Sequence, residues 1–278
     1  MIDIPAQQIL ETFERGTTFV DIATEQTRKK LLEVERQLQK KVEAIIQEDI
    51  TGLYSEVIAF IDRQFREGTD LSTILNNISQ ELNDILSDHN RTDMNPVAEA
   101  LGRDKYDFVS SSFLISQLGL GIIFYVQQLA LEKPNCNLNI LEQNNDYLEF
   151  KQIAIRLNLY MMGRHFELLA KLLKPNGILH LSATTNSIYF TSDGVGGIIR
   201  EESKPIIPFE LLQSSLPLFF EPQSDLQTSW PYVKQMCTPG NPVGELYTTL
   251  SIPCKPKLDE NGKKIDDWSK LMENEEIE

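Results

Sequence analysis

The apolar residues of this chain recur with two different periods, and the switches between them outline the fold. Leu71, Ile74, Leu75, Ile78, Leu82, Ile85 and Leu86 fall at steps of three and four, so they share one face of a helix, and Asp70 stands at its N-cap position. Leu31, Val34, Leu38, Val42 and Ile45 repeat that pattern between Glu25 and Gln47, with Arg28, Lys29, Glu35, Arg36, Gln39 and Lys40 on the other faces. This helix suits either a place on the protein's own core or pairing with a helix of a protein partner. A long helical stretch runs from Gln152 through Leu173, and Leu114 to Leu131 reads as a buried helix.

Runs rich in β-branched and aromatic residues predict the strands. The first is Thr17 to Ala23, after the breaker Gly16; the strongest is Asp107 to Phe113, entered from the charged turn Gly102-Arg103-Asp104-Lys105. Ile178 to Thr184 reads as a central strand, followed by extended segments at Ser187 to Thr191, Leu216 to Phe220 and Glu245 to Ile252, with a short extended piece at Leu138 to Leu141. Glu56-Val57-Ile58-Ala59-Phe60-Ile61-Asp62 fits two readings. It is a buried strand ending in an acid or, with Leu53, Tyr54 and Phe65, a helix starting from Gly52.

Strands alternating with helices up to Thr184, then extended segments without helices of similar length, indicate an α/β fold. The expected architecture is a doubly wound, mostly parallel sheet with antiparallel C-terminal strands and extra N-terminal helices. Residues 1–258 form the domain, with 1–90 its helix-rich part. From Asp259 to the end, eight acidic residues against three lysines predict a mobile acidic tail.

Composition narrows the chemistry. A formal charge of −15 argues against a nucleic-acid partner, which draws on clustered Lys and Arg. Three cysteines without a C-x-x-C pair suit a reducing compartment such as the cytoplasm. Three histidines without ligand spacing leave little material for a metal centre. The N-terminus lacks the basic and apolar blocks of a secretory signal, and Ser116, Gln117, Gln127 and Gln128 interrupt the most lipid-like stretch, so no membrane span is expected. The absence of G-x-S-x-G, and of any recognisable spacing between His165 or His180 and a serine or cysteine, gives no nucleophile motif. Asp193-Gly194-Val195-Gly196-Gly197 reads as a flexible turn, since no Gly-Lys-Ser/Thr follows it.

Two segments carry a family resemblance. Tyr106-Asp107-Phe108-Val109-Ser110-Ser111-Ser112 is similar to the D-hydrophobic-V-small-small fourth strand of class I S-adenosylmethionine-dependent methyltransferases. Leu172-Leu173-Lys174-Pro175-Asn176-Gly177 resembles the L-L-K-P-G-G join ahead of their fifth strand. In that join Pro175 is expected to stop the helix and Asn176-Gly177 to supply positive φ. The resemblance implies S-adenosylmethionine as cofactor and a protein or small-molecule methyl acceptor. The implied cofactor contacts are Asp21, Ala23 and Thr24 at the first strand, Asp62 as the strand-two acid for the ribose hydroxyls, Asp93 and Met94 near the adenine, and Ser110 and Ser111 at the fourth strand. The first-strand turn Ala23-Thr24-Glu25-Gln26-Thr27 departs from the family in having no glycine, which puts activity in doubt and leaves a non-catalytic interaction protein as the alternative. The terminal block Leu271 to Glu278 resembles the glutamate-rich ends of effectors exported by Dot/Icm type IV secretion, implying passage into a host cell.

Overall fold

The computed structural model describes residues 18–21, 44–47, 53–68, 70–88, 101–112, 120–134, 136–192, 198–205, 215–223, 227–235 and 243–266. Strands β1 (Thr18–Asp21) and β2 (Ala44–Gln47) pair in parallel, Thr18 opposite Ala44 and Asp21 opposite Gln47. β1 is the strand expected after Gly16. β2 is a correction, because the helix expected over Glu25 to Gln47 does not extend through its last four residues. Ile45 and Ile46 are adjacent β-branched residues that favour extended backbone, and β1 supplies the ladder partners that helix periodicity alone cannot anticipate. The remainder of that helix lies outside the described residues.

Helix α1 (Tyr54–Glu67) resolves the open reading of Glu56 to Asp62 as helical. Val57, Ile61 and Phe65, four apart, are its buried residues, where a strand would bury alternate positions. The Lys133 ammonium donates to the carbonyls of Phe65 and Gly68 at its C-terminal end, at 3.0 and 3.2 Å. Helix α2 (Leu71–Ser87) starts where expected: the Asp70 carboxylate accepts from the Thr73 amide at 2.8 Å, a bond that holds its pKa below the usual carboxylate value. Helix α3 (Leu120–Leu131) follows. Leu138 to Leu141, expected to be extended, is instead helix α4 (Leu138–Glu142), because the Asn137 side chain caps the Ile140 amide at 3.0 Å. Asn144 caps the Tyr147 amide in the same way and starts α5 (Asn145–Leu172), the long helix expected.

Strand β3 (Tyr106–Ser112) pairs in parallel with the twenty-residue β4 (Leu173–Ser192). β4 absorbs both expected segments, Ile178 to Thr184 and Ser187 to Thr191, with a register shift between Thr184 and Asn186. The remaining strands are β5 (Ile198–Pro205), β6 (Phe220–Pro222), β7 (Thr228–Gln235) and β8 (Val243–Pro256), all antiparallel to their partners. The order β3-β4-β8-β6, with β5 on β4 and β7 on β8, makes a six-stranded sheet, separate from the β1-β2 pair, that carries the antiparallel C-terminal strands expected of this α/β fold. Among its described strands the β3-β4 pairing is parallel and the others are antiparallel, where a mostly parallel sheet was expected. Leu216 to Phe220 is a correction: residues 215–219 form a helical turn, and only Phe220 enters β6. Pro217 lies in that first turn, where its missing N–H removes no bond.

Helix α5 joins two cores. Its first half packs Phe150, Ala154 and Leu157 against Ile61, Ile74, Leu75, Ile78 and Ile122 of the other helices. Its second half packs Met162, Phe166 and Leu169 against Leu179, Leu181, Leu250 and Ile252 of the sheet. Burial there extends around the helix to Arg164, His165, Glu167 and Lys171, with the last two paired at 2.5 Å.

The α5 to β4 join corrects a further expectation. Among the described residues positive φ occurs at Gly102, Asp104 and Gly262, not at Asn176 or Gly177. The helix passes into β4 at Leu173, and glycine is needed at 177 for close approach. A Cβ there would lie 2.8 Å from Leu173 Cδ2, 3.0 Å from the Lys174 carbonyl and 3.1 Å from the Tyr106 carbonyl. Gly177→Ala is expected to cost about 1–3 kcal/mol through that overpacking. Urea denaturation checks it, and an unchanged midpoint contradicts the crowding argument.

Positive φ serves instead at the turn before β3. There the amides of Asp104 and Lys105 donate to the Lys171 and Leu172 carbonyls, at 3.0 and 3.1 Å. The acidic C-terminal segment begins as a packed turn, with Leu258 bridged to Lys264 and the Asp259 carboxylate accepting from the Asn261 and Lys263 amides. The buried Lys264 ammonium binds the Asp104 carboxylate and the Leu173 carbonyl, tying this turn to the turn before β3 and to β4. The segment from residue 267 lies outside the described residues.

Candidate functional site

The parallel register of β3 and β4 determines which polar groups meet. Phe108 lies opposite Ile178, Ser110 opposite His180 and Ser111 opposite Leu181, with alternate residues on opposite faces of the sheet. Ser111 points toward α5, where its hydroxyl lies 2.8 Å from His165 Nε2, and both residues are buried. Burial lowers the His165 pKa to about 4, so the imidazole is neutral across the physiological range; its buried Nδ1 has no hydrogen-bond partner.

Ser110 is exposed on the other face, with its hydroxyl 3.3 Å from His180 Nδ1. His180 Nε2 is in turn 2.7 Å from the Ser251 hydroxyl on β8. Partial burial lowers the His180 pKa as well. One hydrogen-bonded chain, Ser110-His180-Ser251, therefore crosses three adjacent strands. Both histidines thus meet serines, although no recognisable spacing in the sequence links them. The partners are 70 and 71 residues away in sequence for His180 and 54 for His165, so no local motif contains them. The signal was the constant offset between Phe108-Val109-Ser110 and Ile178-Leu179-His180, which becomes a set of rungs once the two strands are paired in parallel.

The two segments that carry the family resemblance touch each other: the Lys174 ammonium lies 2.9 Å from both Asp107 carboxylate oxygens. The pair is exposed, so its contribution is expected to be small, about 0–1 kcal/mol.

The other implied cofactor contacts separate. Asp62 lies on α1, not at a strand end, because the segment follows helical rather than strand periodicity. Its carboxylate accepts a hydrogen bond from Tyr125 of α3, and this bond is the main cause that raises the tyrosine's pKa. Asp21 is the last residue of β1. Ala23, Thr24, Asp93 and Met94, and the glycine-rich turn Asp193 to Gly197, lie outside the described residues. Of the contacts with described side chains, Ser110 is exposed, Ser111 is turned inward on His165, and Asp62 accepts from Tyr125. Among the described residues no group of three or more His, Cys, Asp or Glu forms a metal site, and no helix is long and apolar enough to cross a membrane.

No family model and no curated protein matches this chain. Among solved structures, the PH0226 protein of Pyrococcus horikoshii OT3 is similar at 11% identity, over 91% of this chain and 76% of that one, with a TM-score of 0.37. A 1,6-didemethyltoxoflavin-N1-methyltransferase of Burkholderia thailandensis, with 1,6-didemethyltoxoflavin and S-adenosylhomocysteine bound, is similar at 14% identity, over 89% of this chain and 76% of that one, with a TM-score of 0.25. Likenesses this loose carry no weight for the chemistry of this chain, whose α/β architecture stands on its own strand order and contacts.

Proposed function

We propose that this protein is a methyltransferase-fold protein that binds S-adenosylmethionine outside the carboxyl ends of β1, β2 and β3. Its methyl acceptor, a small molecule or a protein, lies beside Ser110. The observation that carries this reading is the β3-α-β4 arrangement: two parallel strands, with α3, α4 and α5 between them in the chain, bring the Ser110 to Ser112 end of β3 to the edge where open α/β sheets take ligands. β4 continues ten residues past its last rung with β3, flanked by β5 and β8, and forms a wall beside that edge. When bound, the cofactor supplies an electrophilic methyl group; the chain's own residues bind, orient and exclude water.

The position of β2 changes the residue proposed for the ribose hydroxyls. The acid that follows β2 in sequence is Glu48, 27 positions after Asp21, against 41 for Asp62. A dinucleotide-type ribose acid stands about 20 residues on, so by sequence spacing alone we propose Glu48, which lies outside the described residues, for that role. Native mass spectrometry of the protein as purified tests the reading: co-purified S-adenosyl compounds support it.

The engagement of Asp62 by Tyr125 favours a second reading, a non-catalytic member of the same fold that acts through a protein partner. The acidic terminal block suggests delivery by type IV secretion into a host cell. A translocation reporter fused to the chain with and without residues 271–278 tests that step; equal transfer by both fusions contradicts it.

A further inference from the structure

We propose that Ser110 and His180 form a nucleophile and base pair that takes up acyl groups from carboxylic esters, an activity distinct from methyl transfer. Three observations converge on this pair. Ser110 is exposed on a rigid strand, with its hydroxyl within reach of a ring nitrogen, and such contacts are commonly loose before substrate binds. Ser251 holds the opposite ring nitrogen at 2.7 Å, and when Nε2–H donates to its hydroxyl, Nδ1 is open to the Ser110 proton. Phe108 and Ile178, the rung before on the same face, are 50% and 44% exposed and form an apolar seat about 7 Å from the pair. That seat suits an aryl or short alkyl group rather than a charged one.

The step balances without any other reactant. Ser110 Oγ bonds to the ester carbonyl carbon as its proton passes to His180 Nδ1. The ester C–O bond then breaks, and the leaving oxygen takes the proton from His180. Water next attacks the acyl-serine, giving its proton to His180. The acid departs, and Ser110 recovers its proton from the imidazolium. Ser251 is a positioning residue, acting only through the ring of His180.

The test uses the full chain and an alkyl fluorophosphonate, which phosphonylates an activated serine with loss of fluoride. Intact mass and peptide mapping are expected to show one adduct, on Ser110, absent in Ser110→Ala. His180→Asn is expected to slow labelling about 100-fold, the scale of a lost general base. Ser251→Ala slows it several-fold, and Ser251→Thr, which keeps the hydroxyl, restores it. Circular dichroism and thermal melts confirm that each variant is folded. No adduct on the wild-type chain overturns the proposal, as does labelling whose rate is unchanged in folded His180→Asn. S-adenosylhomocysteine binding plays no part in this test, so either proposal can fail alone.

Discussion

Phe166→Ala is expected to lower stability by about 3–5 kcal/mol, more than any surface substitution in this chain. Phe166 is fully buried on α5, with its ring centroid 6.3 Å from that of Phe220 in an edge-on arrangement. The ring fills the space between the helix and the sheet, among Met162, Leu169, Leu179 and Leu181. Truncation leaves a cavity that the backbone of β4 cannot close, because β4 is tied to β3 on one side and β8 on the other. Urea denaturation measures the effect; a loss below about 1 kcal/mol would mean that the helix and sheet do not share this core.

Acidification is expected to destabilise the protein through His165. In the folded state burial holds its pKa at about 4, while in the unfolded chain it returns to about 6.5. Between those values the unfolded state binds the proton and the folded state does not, so stability falls as pH falls. The contribution is complete above pH 6.5, is lost progressively toward pH 4 and levels off below it. Its size is about 3 kcal/mol, from the two pKa values. His165→Gln removes the titrating group while keeping a side chain able to accept from Ser111. Denaturation midpoints at pH 7, 5.5 and 4.5 should show a smaller decline for the variant than for the wild type, and parallel declines would sink the assignment. His180 adds in the same direction, since burial lowers its pKa too.

Much of the sheet was legible because its strands announce themselves locally. Thr18 to Asp21, Tyr106 to Ser112 and Val243 to Pro256 carry β-branched or aromatic runs bounded by breakers or charged turns. Asp70 was legible for a similar reason, since capping chemistry operates within three residues. The errors fell where a distant partner decides the outcome. Ala44 to Gln47 is extended because β1 pairs with it; Glu56 to Asp62, which fitted both readings, is helical because Val57, Ile61 and Phe65 share one buried face. Gly177 was assigned the wrong reason: its constraint is crowding by the Leu173 side chain and the Lys174 and Tyr106 carbonyls, not its own φ.

The candidate site was the least legible part. Ser110 and Ser111 stood out as small residues at a strand end, yet their histidine partners emerge only from the parallel register and the approach of α5. Asp62 looked like a strand-end acid because the apolar run Val57 to Ile61 precedes it, and helical spacing turns that same composition into a core-facing stripe.

The most direct test of the account is calorimetric titration of S-adenosylhomocysteine into the full chain and into Glu48→Gln and Asp62→Asn. The account predicts binding by the wild type, a loss of about 10- to 100-fold in affinity for Glu48→Gln, the scale of hydrogen bonds to a charged group, and no change for Asp62→Asn. No heat of binding at millimolar ligand, or an affinity that falls with Asp62 rather than Glu48, would contradict it.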